Sequence, residues 1–465
     1  MKFSHHAFIV SLVGLSLATA QATRAQETPA APAQAASAPA TASSAASGVT
    51  SQAPAPAATT PAAAPSSSVT PASTTPSSTT PPSTAPVAPV VQVTPPAATS
   101  AATPVAGAVQ TIPGMPAVIN PKNIYSETIS DKISPAIKDD LARVYVPNLR
   151  GNSVSVIDPA TFKVVDTFKV GRSPQHVVPS WDLRTLWVTN NAEGSNDGSL
   201  TPIDPRTGKP GPAVTVDDPY NMYFTPDGKY AIVVAEAHER LDFRDPHTMA
   251  LIGSVEAPQC MGINHADFSI DGRYAIFTCE FGGYLAKIDT VNRSLIGYLK
   301  LSKGGMPQDI LTAPDGHKFY IADMHADGVF VVDGDSFKET GFIPTGPGTH
   351  GEYPSRDGKF MYVANRGSHR IHGPRHSPGS VSVIDFATDK VVKTWPIPGG
   401  GSPDMGNVSA DGKLLWLSGR FDDVAYAINT ETGDVKKIPV GAEPHGLTVW
   451  PQPGRYSVGH TGILR

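Results

Sequence analysis

The stretch Ser402–Gly441, SPDMGNVSADGKLLWLSGRFDDVAYAINTETGDVKKIPVG, decides how the chain is read. It holds four short β signals. MGNVSA leads into the pair Asp411-Gly412; KLLWLSG follows, then VAYAIN, then VKKIPVG. Asp-Gly between two apolar β-rich runs marks a hairpin. A second turn, NTETGD, joins the last two strands, and DPATFK and DFATDK do so elsewhere. One four-stranded unit of this kind leaves both of its faces uncovered. It becomes stable only when copies stack against one another.

The copies are present. SWDLRTLWVTNN, TPDGKYAIVVAE, SIDGRYAIFTCE, APDGHKFYIADM and SRDGKFMYVANR repeat the turn and the strand after it. The turn aspartates are Asp182, Asp227, Asp271, Asp315, Asp357 and Asp411, spaced 45, 44, 44, 42 and 54 residues apart. A seventh inner-strand signal, HGLTVWP, stands near the C-terminus without outer strands. ARVYVPN, NSVSVID and VVDTFKVG stand at the start of the repeats without an inner strand. Joining the two halves closes a ring and removes free sheet edges. The expectation is an all-β, seven-bladed β-propeller of four-stranded antiparallel blades, spanning 122–465. Helical periodicity is weak, which argues against an α/β fold. An eighth blade, with Ile124–Ile137 as its inner strand, is the alternative.

Two segments precede the repeats. MKFSHHAFIVSLVGLSLATA (1–20) has a Lys, a short apolar run and Ala18-Thr19-Ala20, the pattern of a cleaved secretory signal. From Thr28 to Pro121 there is no Lys, Arg, Asp or Glu. Residues 21–121, rich in Ala, Pro, Ser and Thr, cannot bury enough apolar surface to fold and read as a disordered tether. The chain is therefore expected to be periplasmic or secreted, monomeric, and without a transmembrane segment after cleavage. A formal charge of −5 with no basic block outside one loop argues against nucleic-acid binding. Cys260 and Cys279 fall on the same side of one blade. They are candidates for a disulfide in an oxidising compartment, with a free thiol pair or metal donation as the other readings.

The segments VYVPN…SVSVIDPATFKVVDTFKVG and MYVAN…SVSVIDFATDKVVKTWPIPG resemble the YVTN-repeat family of bacterial β-propellers, YncE-like, and the likeness extends over residues 141–465. The resemblance implies the fold. It implies no single activity, because this fold carries several.

Function must be read from one face. In a propeller, the loops entering the inner strands and those leaving the second strands surround one mouth of the central channel. The seven inner strands begin SPQH, DPYN, GINH, MPQD, GTHG, SPDM and EPHG. These place His176, His265, His350 and His445 at the mouth, with Asn221, Asp309, Asp404 and Met405. The second-strand loops add Glu236, Glu280, Asp323, Arg366 and Arg420. An insertion in NRGSHRIHGPRHSPG (Asn365–Gly379) accounts for the 54-residue spacing and adds His369, His372 and His376. Of the twelve histidines after the signal, ten map to this face, His460 among them.

Neutral imidazole is a common ligand of Zn and Cu, so His176, His265, His350 and His445 are the expected metal ligands. Asn221, Asp309, Asp323, Asp404, Arg366 and Arg420 are the expected contacts of a small ligand. No Cys-x-x-Cys-His is present, so covalent c-type haem is not expected. The reading is an exported ligand-binding or scaffold propeller with a histidine-rich funnel, a transition metal (Cu or Zn) as its expected cofactor, and a rim open to a protein partner. The alternative is a lactonase-like hydrolase in the same funnel, a chemistry known among related propellers. Glu236, Glu280 and Asp323 are then the candidate bases. Neither Gly-x-Ser-x-Gly nor His-Glu-x-x-His occurs.

Overall fold

The computed structural model describes residues 108–465 apart from Asp131, Asn196 and Thr461. The signal and most of the tether lie outside the described residues. The repeats form seven antiparallel sheets. Counting blades by inner strand, these strands are Pro174–Pro179, Pro219–Phe224, Ile263–Phe268, Pro307–Thr312, Thr349–Pro354, Pro403–Val408 and Thr448–Trp450. The last pairs with Arg143–Asn148, Val144 opposite Val449, so the two ends of the repeat region share blade 7. In blade 1 the outermost strand is split at Gly211-Pro212-Ala213 into Lys209–Pro210 and Val214–Thr215, both on Ser199–Asp204.

Burial follows position in the blade. Inner strands are buried at every residue, because one side faces the channel and the other a neighbouring blade. Outermost strands such as Lys390–Pro396 are largely exposed. Side chains of adjacent sheets fill the space between them: Leu241 and Phe243 of blade 2 pack with Phe277 and Ala286 of blade 3.

The repeated turn has a local cause. In Ser409-Ala-Asp411-Gly412 the Ser409 hydroxyl donates to the Asp411 carboxylate at 2.6 Å, and Gly412 takes φ +76°. The same bond recurs at Ser180–Asp182, Thr225–Asp227, Ser269–Asp271 and Ser355–Asp357. A short hydroxyl and a carboxylate thus satisfy the turn's polar groups, and glycine accepts the left-handed backbone.

The segment Ile124–Ile137 is not an inner strand. It makes turns and a short 3-10 helix, Pro135–Ile137, and lies across the Asp-Gly side of the ring, where Ile124 donates to the Pro314 carbonyl at 2.9 Å. There are seven blades, not eight. Ile112 and Ala117, which the composition placed at the end of the tether, join the same side: Ile112 is buried and donates to the Asp271 carbonyl at 3.0 Å, and Arg455 donates to the Ala117 carbonyl.

After Trp450 the chain turns back into the channel. Arg455–Arg465 forms a hairpin, with Arg455 N–H donating to the Arg465 carbonyl at 2.7 Å and Ser457 bridged to Leu464. Its Arg465 guanidinium pairs with buried Asp267. Gly459 lies against Tyr223; a Cβ there would come 2.6 Å from the Tyr223 Cα. The hairpin closes the channel from the Asp-Gly side, and His460 stands at its tip.

Candidate functional site

Two successive residues of an inner strand can both serve the channel because the ladder is broken there. In blade 3, Ile263 pairs with Cys279 and Ala266 with Phe277, leaving Asn264 and His265 opposite Thr278 alone. This is a β-bulge, which re-aims side chains that alternation would send apart. Blades 4, 5 and 6 repeat it. A hydroxyl of the second strand replaces the missing ladder bond. Thr278 Oγ1 accepts the His265 N–H at 3.0 Å and donates to the Gln308 carbonyl of blade 4 at 2.7 Å. Thr189 does the same for His176 and the Tyr220 carbonyl, at 3.1 and 2.9 Å.

The four expected histidines are buried and form an arc around the channel. Ring centroids lie 5.1 Å apart for His176–His265, 4.8 Å for His176–His445 and 5.9 Å for His350–His445. Burial pushes all four well below the ordinary imidazole range, so they are neutral near pH 7.

Two of the four belong to Asp404. Its Oδ2 accepts His445 Nδ1–H at 2.8 Å. Its Oδ1 accepts Arg366 Nε and Nη2 at 3.0 and 2.8 Å and lies 3.1 Å from His350 Nδ1. Arg366 can only donate, so its 3.0 Å contact with His350 Nε2 fixes the His350 proton on Nδ1. Burial would raise the Asp404 carboxyl, but Arg366, His350 and Arg420 outweigh it and hold it below the usual range.

His265 belongs to a different group. Its Nδ1 takes the Asn221 amide at 3.2 Å and lies 3.9 Å from Asp309 Oδ1. His460 rises to the same carboxylate, Nε2 to Oδ1 at 2.6 Å. Among the described residues, His265, Asp309 and His460 are the one set of three possible metal donors within 4.8 Å of one another. His176 has a hydrogen-bond partner at neither ring nitrogen.

Above this floor is a small chamber, partly open to solvent. Arg366 and Arg420 enter it from blades 5 and 6, and Glu193, Glu236 and Glu280 from blades 1 to 3; His372 of the inserted loop lies 3.8 Å from Glu193, and Tyr220, Gln175 and Gln308 complete the lining. Burial, and then the Glu280 charge, pushes the Glu236 carboxyl well up, and burial raises Glu280 as well. Each carboxyl disfavours a second charge beside it, an arrangement that favours one proton on the pair. Glu280 also accepts the Asn264 amide at 2.7 Å.

The inserted loop contributes one histidine to this chamber. His372 Nδ1 meets Glu443 Oε1 at 2.7 Å, and Glu443 also takes Arg420 Nη2 at 3.3 Å and Arg150. His369 instead pairs with Asp327 at 2.7 Å, and His376 is exposed. The three do not converge. Asp323 accepts three backbone N–H groups, from Met306, His325 and Ala326, at 2.8 to 3.0 Å, and so serves its own loop. Cys260 and Cys279 are joined by a disulfide, with Cα atoms 4.6 Å apart.

Sequence reasoning missed Glu193 as a chamber residue and Glu443 as the partner of His372 and Arg420, and mistook the route of His460, which arrives on the hairpin from below. Glu443 was within reach of the same alignment, two positions before His445 in EPHG. Nothing local marks the tail as a plug.

The chain belongs to the YNCE-like beta-propeller family, whose model matches residues 115–452. Solved structures with the same fold include the periplasmic gluconolactonase of Pseudomonas aeruginosa, at 19% identity and TM-score 0.55, covering 67% of this chain and 99% of that one. A protein of Bacteroides uniformis described as a candidate 6-phosphogluconolactonase matches at 17% identity and TM-score 0.54, covering 67% and 99%. Dihydro-heme d1 dehydrogenase NirN matches at 15% and 0.50, covering 66% and 75%. At these identities the likeness is one of fold.

Proposed function

We propose that the mouth chamber of this exported propeller binds a small polar molecule with an anionic group at one end and hydroxyl groups at the other. The observation that carries this is the division of the wall. The anionic end would face the guanidinium of Arg420, with the Arg366 cation behind it already held by Asp404. Hydroxyls would face the Glu236–Glu280 pair, Gln175 and Gln308, which together offer donors and acceptors. The test is calorimetry of the mature protein with aldonic, uronic and hydroxy acids. One class should bind, and Arg420→Gln and Glu236→Gln should each weaken it tenfold or more. Absence of binding by every class, or binding indifferent to both substitutions, sinks the proposal.

A second reading is favoured by the carboxyl pair. One carboxylate could take a proton from water while its protonated partner supplies one to a leaving alkoxide, as lactone opening requires. The two lactonase-named structures make sugar lactones the substrates to try. Acid release should exceed the buffer rate and fall to it in Glu280→Gln; equal rates with and without protein would remove this reading.

A further inference from the structure

We propose that His265, Asp309 and His460 form a site for one divalent transition-metal ion of the Zn or Cu class, in which the C-terminal hairpin supplies a ligand. The site lies below the mouth chamber and does not rest on the small-ligand reading.

Three buried donors from separate parts of the chain meet here: the inner strands of blades 3 and 4 and the hairpin tip. Their chemistry matches a Zn or Cu site, two imidazoles and a carboxylate. Mg²⁺ and Ca²⁺ would ask for more oxygens. Donors around a tetrahedral ion stand roughly 3.4 Å apart. Here His460 Nε2 and Asp309 Oδ1 are 2.6 Å apart, and His265 Nδ1 and Asp309 Oδ1 are 3.9 Å. Side-chain shifts of under about an ångström reconcile the two.

The surroundings prepare the donors. The Asn221 amide is oriented by its own Oδ1, which accepts the Met222 N–H at 2.8 Å. Its NH₂ therefore donates to His265 Nδ1, which places the His265 proton on Nε2 and marks Nδ1, 3.9 Å from Asp309 Oδ1, as the ring's acceptor; an ion bound there would take this lone pair in place of the amide. Asp309 Oδ2 is held by the Glu352 N–H at 2.8 Å, fixing the carboxylate from behind. Outer partners of this kind orient the ligands of metal sites.

An independent observation points the same way. His176 is fully buried, both its ring nitrogens lack a partner, and its ring stands 5.1 Å from His265. Buried polar groups are nearly always satisfied, and one that is not calls for a water or an ion. His176, directly or through water, is the next donor beside the three.

One consequence is structural. The ion would tie the tail to two blades, so metal binding and hairpin docking would reinforce each other.

The test uses the untagged mature protein, stripped with chelator, exchanged into clean buffer and titrated with Zn²⁺ and with Cu²⁺. One equivalent of one of these ions should be retained through gel filtration and should slow proteolysis within the Arg455–Arg465 hairpin. His460→Gln and Asp309→Asn should each weaken binding by more than the roughly 10–100-fold that loss of an outer-shell partner costs. His372→Ala, in the inserted loop, should bind as wild type. Circular dichroism establishes that each variant is folded, and either of the two ligand variants suffices. Failure of the wild type to retain stoichiometric metal overturns the proposal. So does retention that a folded His460→Gln or Asp309→Asn variant leaves unchanged, since the ion would then sit elsewhere.

Discussion

Replacing Asp404 by Asn tests the electrostatic organisation of the funnel. The substitution keeps the shape and removes one negative charge from a place with no exposure. Arg366, itself 2% exposed, keeps its cation and loses the charge that compensates it. The new amide also presents a donor or a weaker acceptor to His445 Nδ1–H, which now holds a 2.8 Å bond. Breaking a buried charge pair by removing one partner costs about 3–5 kcal/mol, because the other charge stays buried. For a domain this large that is roughly 6–10 °C in melting temperature. Arg366→Met alone should cost a similar amount, since it strands Asp404 with His350, His445 and Arg420. The double variant should cost about 2 kcal/mol or more less than the sum of the singles, because it removes both charges together. Urea denaturation read by the fluorescence of buried Trp416 and Trp450 measures all four proteins. Single variants within about 1 kcal/mol of wild type, or a double variant equal to the sum, would refute the reasoning.

Other expectations come from other parts of the molecule. Reducing Cys260–Cys279, or replacing both by Ser, should cost about 3 kcal/mol for a loop of this length, seen as a lower melting temperature that reductant no longer changes in the double variant. Burial would raise Glu443, but His372, Arg420 and Arg150 bring it down to about 2. Its stabilising contribution is thus complete above its ordinary value near 4.5 and disappears as pH falls toward 2. Protease cleavage in the inserted loop should increase over that window, and in Glu443→Gln it should already be high at neutral pH. Gly406→Ala places a Cβ 1.8 Å from the Trp416 carbonyl oxygen, so the backbone must move. We expect a loss of about 3 kcal/mol or more in urea unfolding, where a merely tight site would lose less.

The fold was legible because its causes are local and repeated. A Ser/Thr-x-Asp-Gly turn, an apolar run after it and a period near 44 residues recur with enough copies to point to seven blades and the shared blade 7, while the structure alone removed the eighth blade over Ile124–Ile137. Even the pairs at the inner-strand starts could be aligned by eye, since each follows the same turn logic. What those pairs do could not be read that way. His350 and His445 are the third residue of GTHG and EPHG and His265 the fourth of GINH, so the alignment separates them by one position but does not name their partners: Asp404 holds the first two, and Asp309 and His460 surround the third. Which carboxylate faces which imidazole depends on the ring's angular order and on the bulges, and neither is written in a single repeat. The tail is the extreme case. HGLTVWPQPGRYSVGHTG reads as a last, turn-altered copy of the repeat, yet the described residues after Trp450 form no second strand; their place is set by a channel that exists only once seven sheets have closed. Local backbone preferences and burial within a blade are properties of neighbouring residues, so the sequence determined them. The charge partners of the funnel are separated by tens to hundreds of residues, and only the closed ring brings them within Coulomb and hydrogen-bond range.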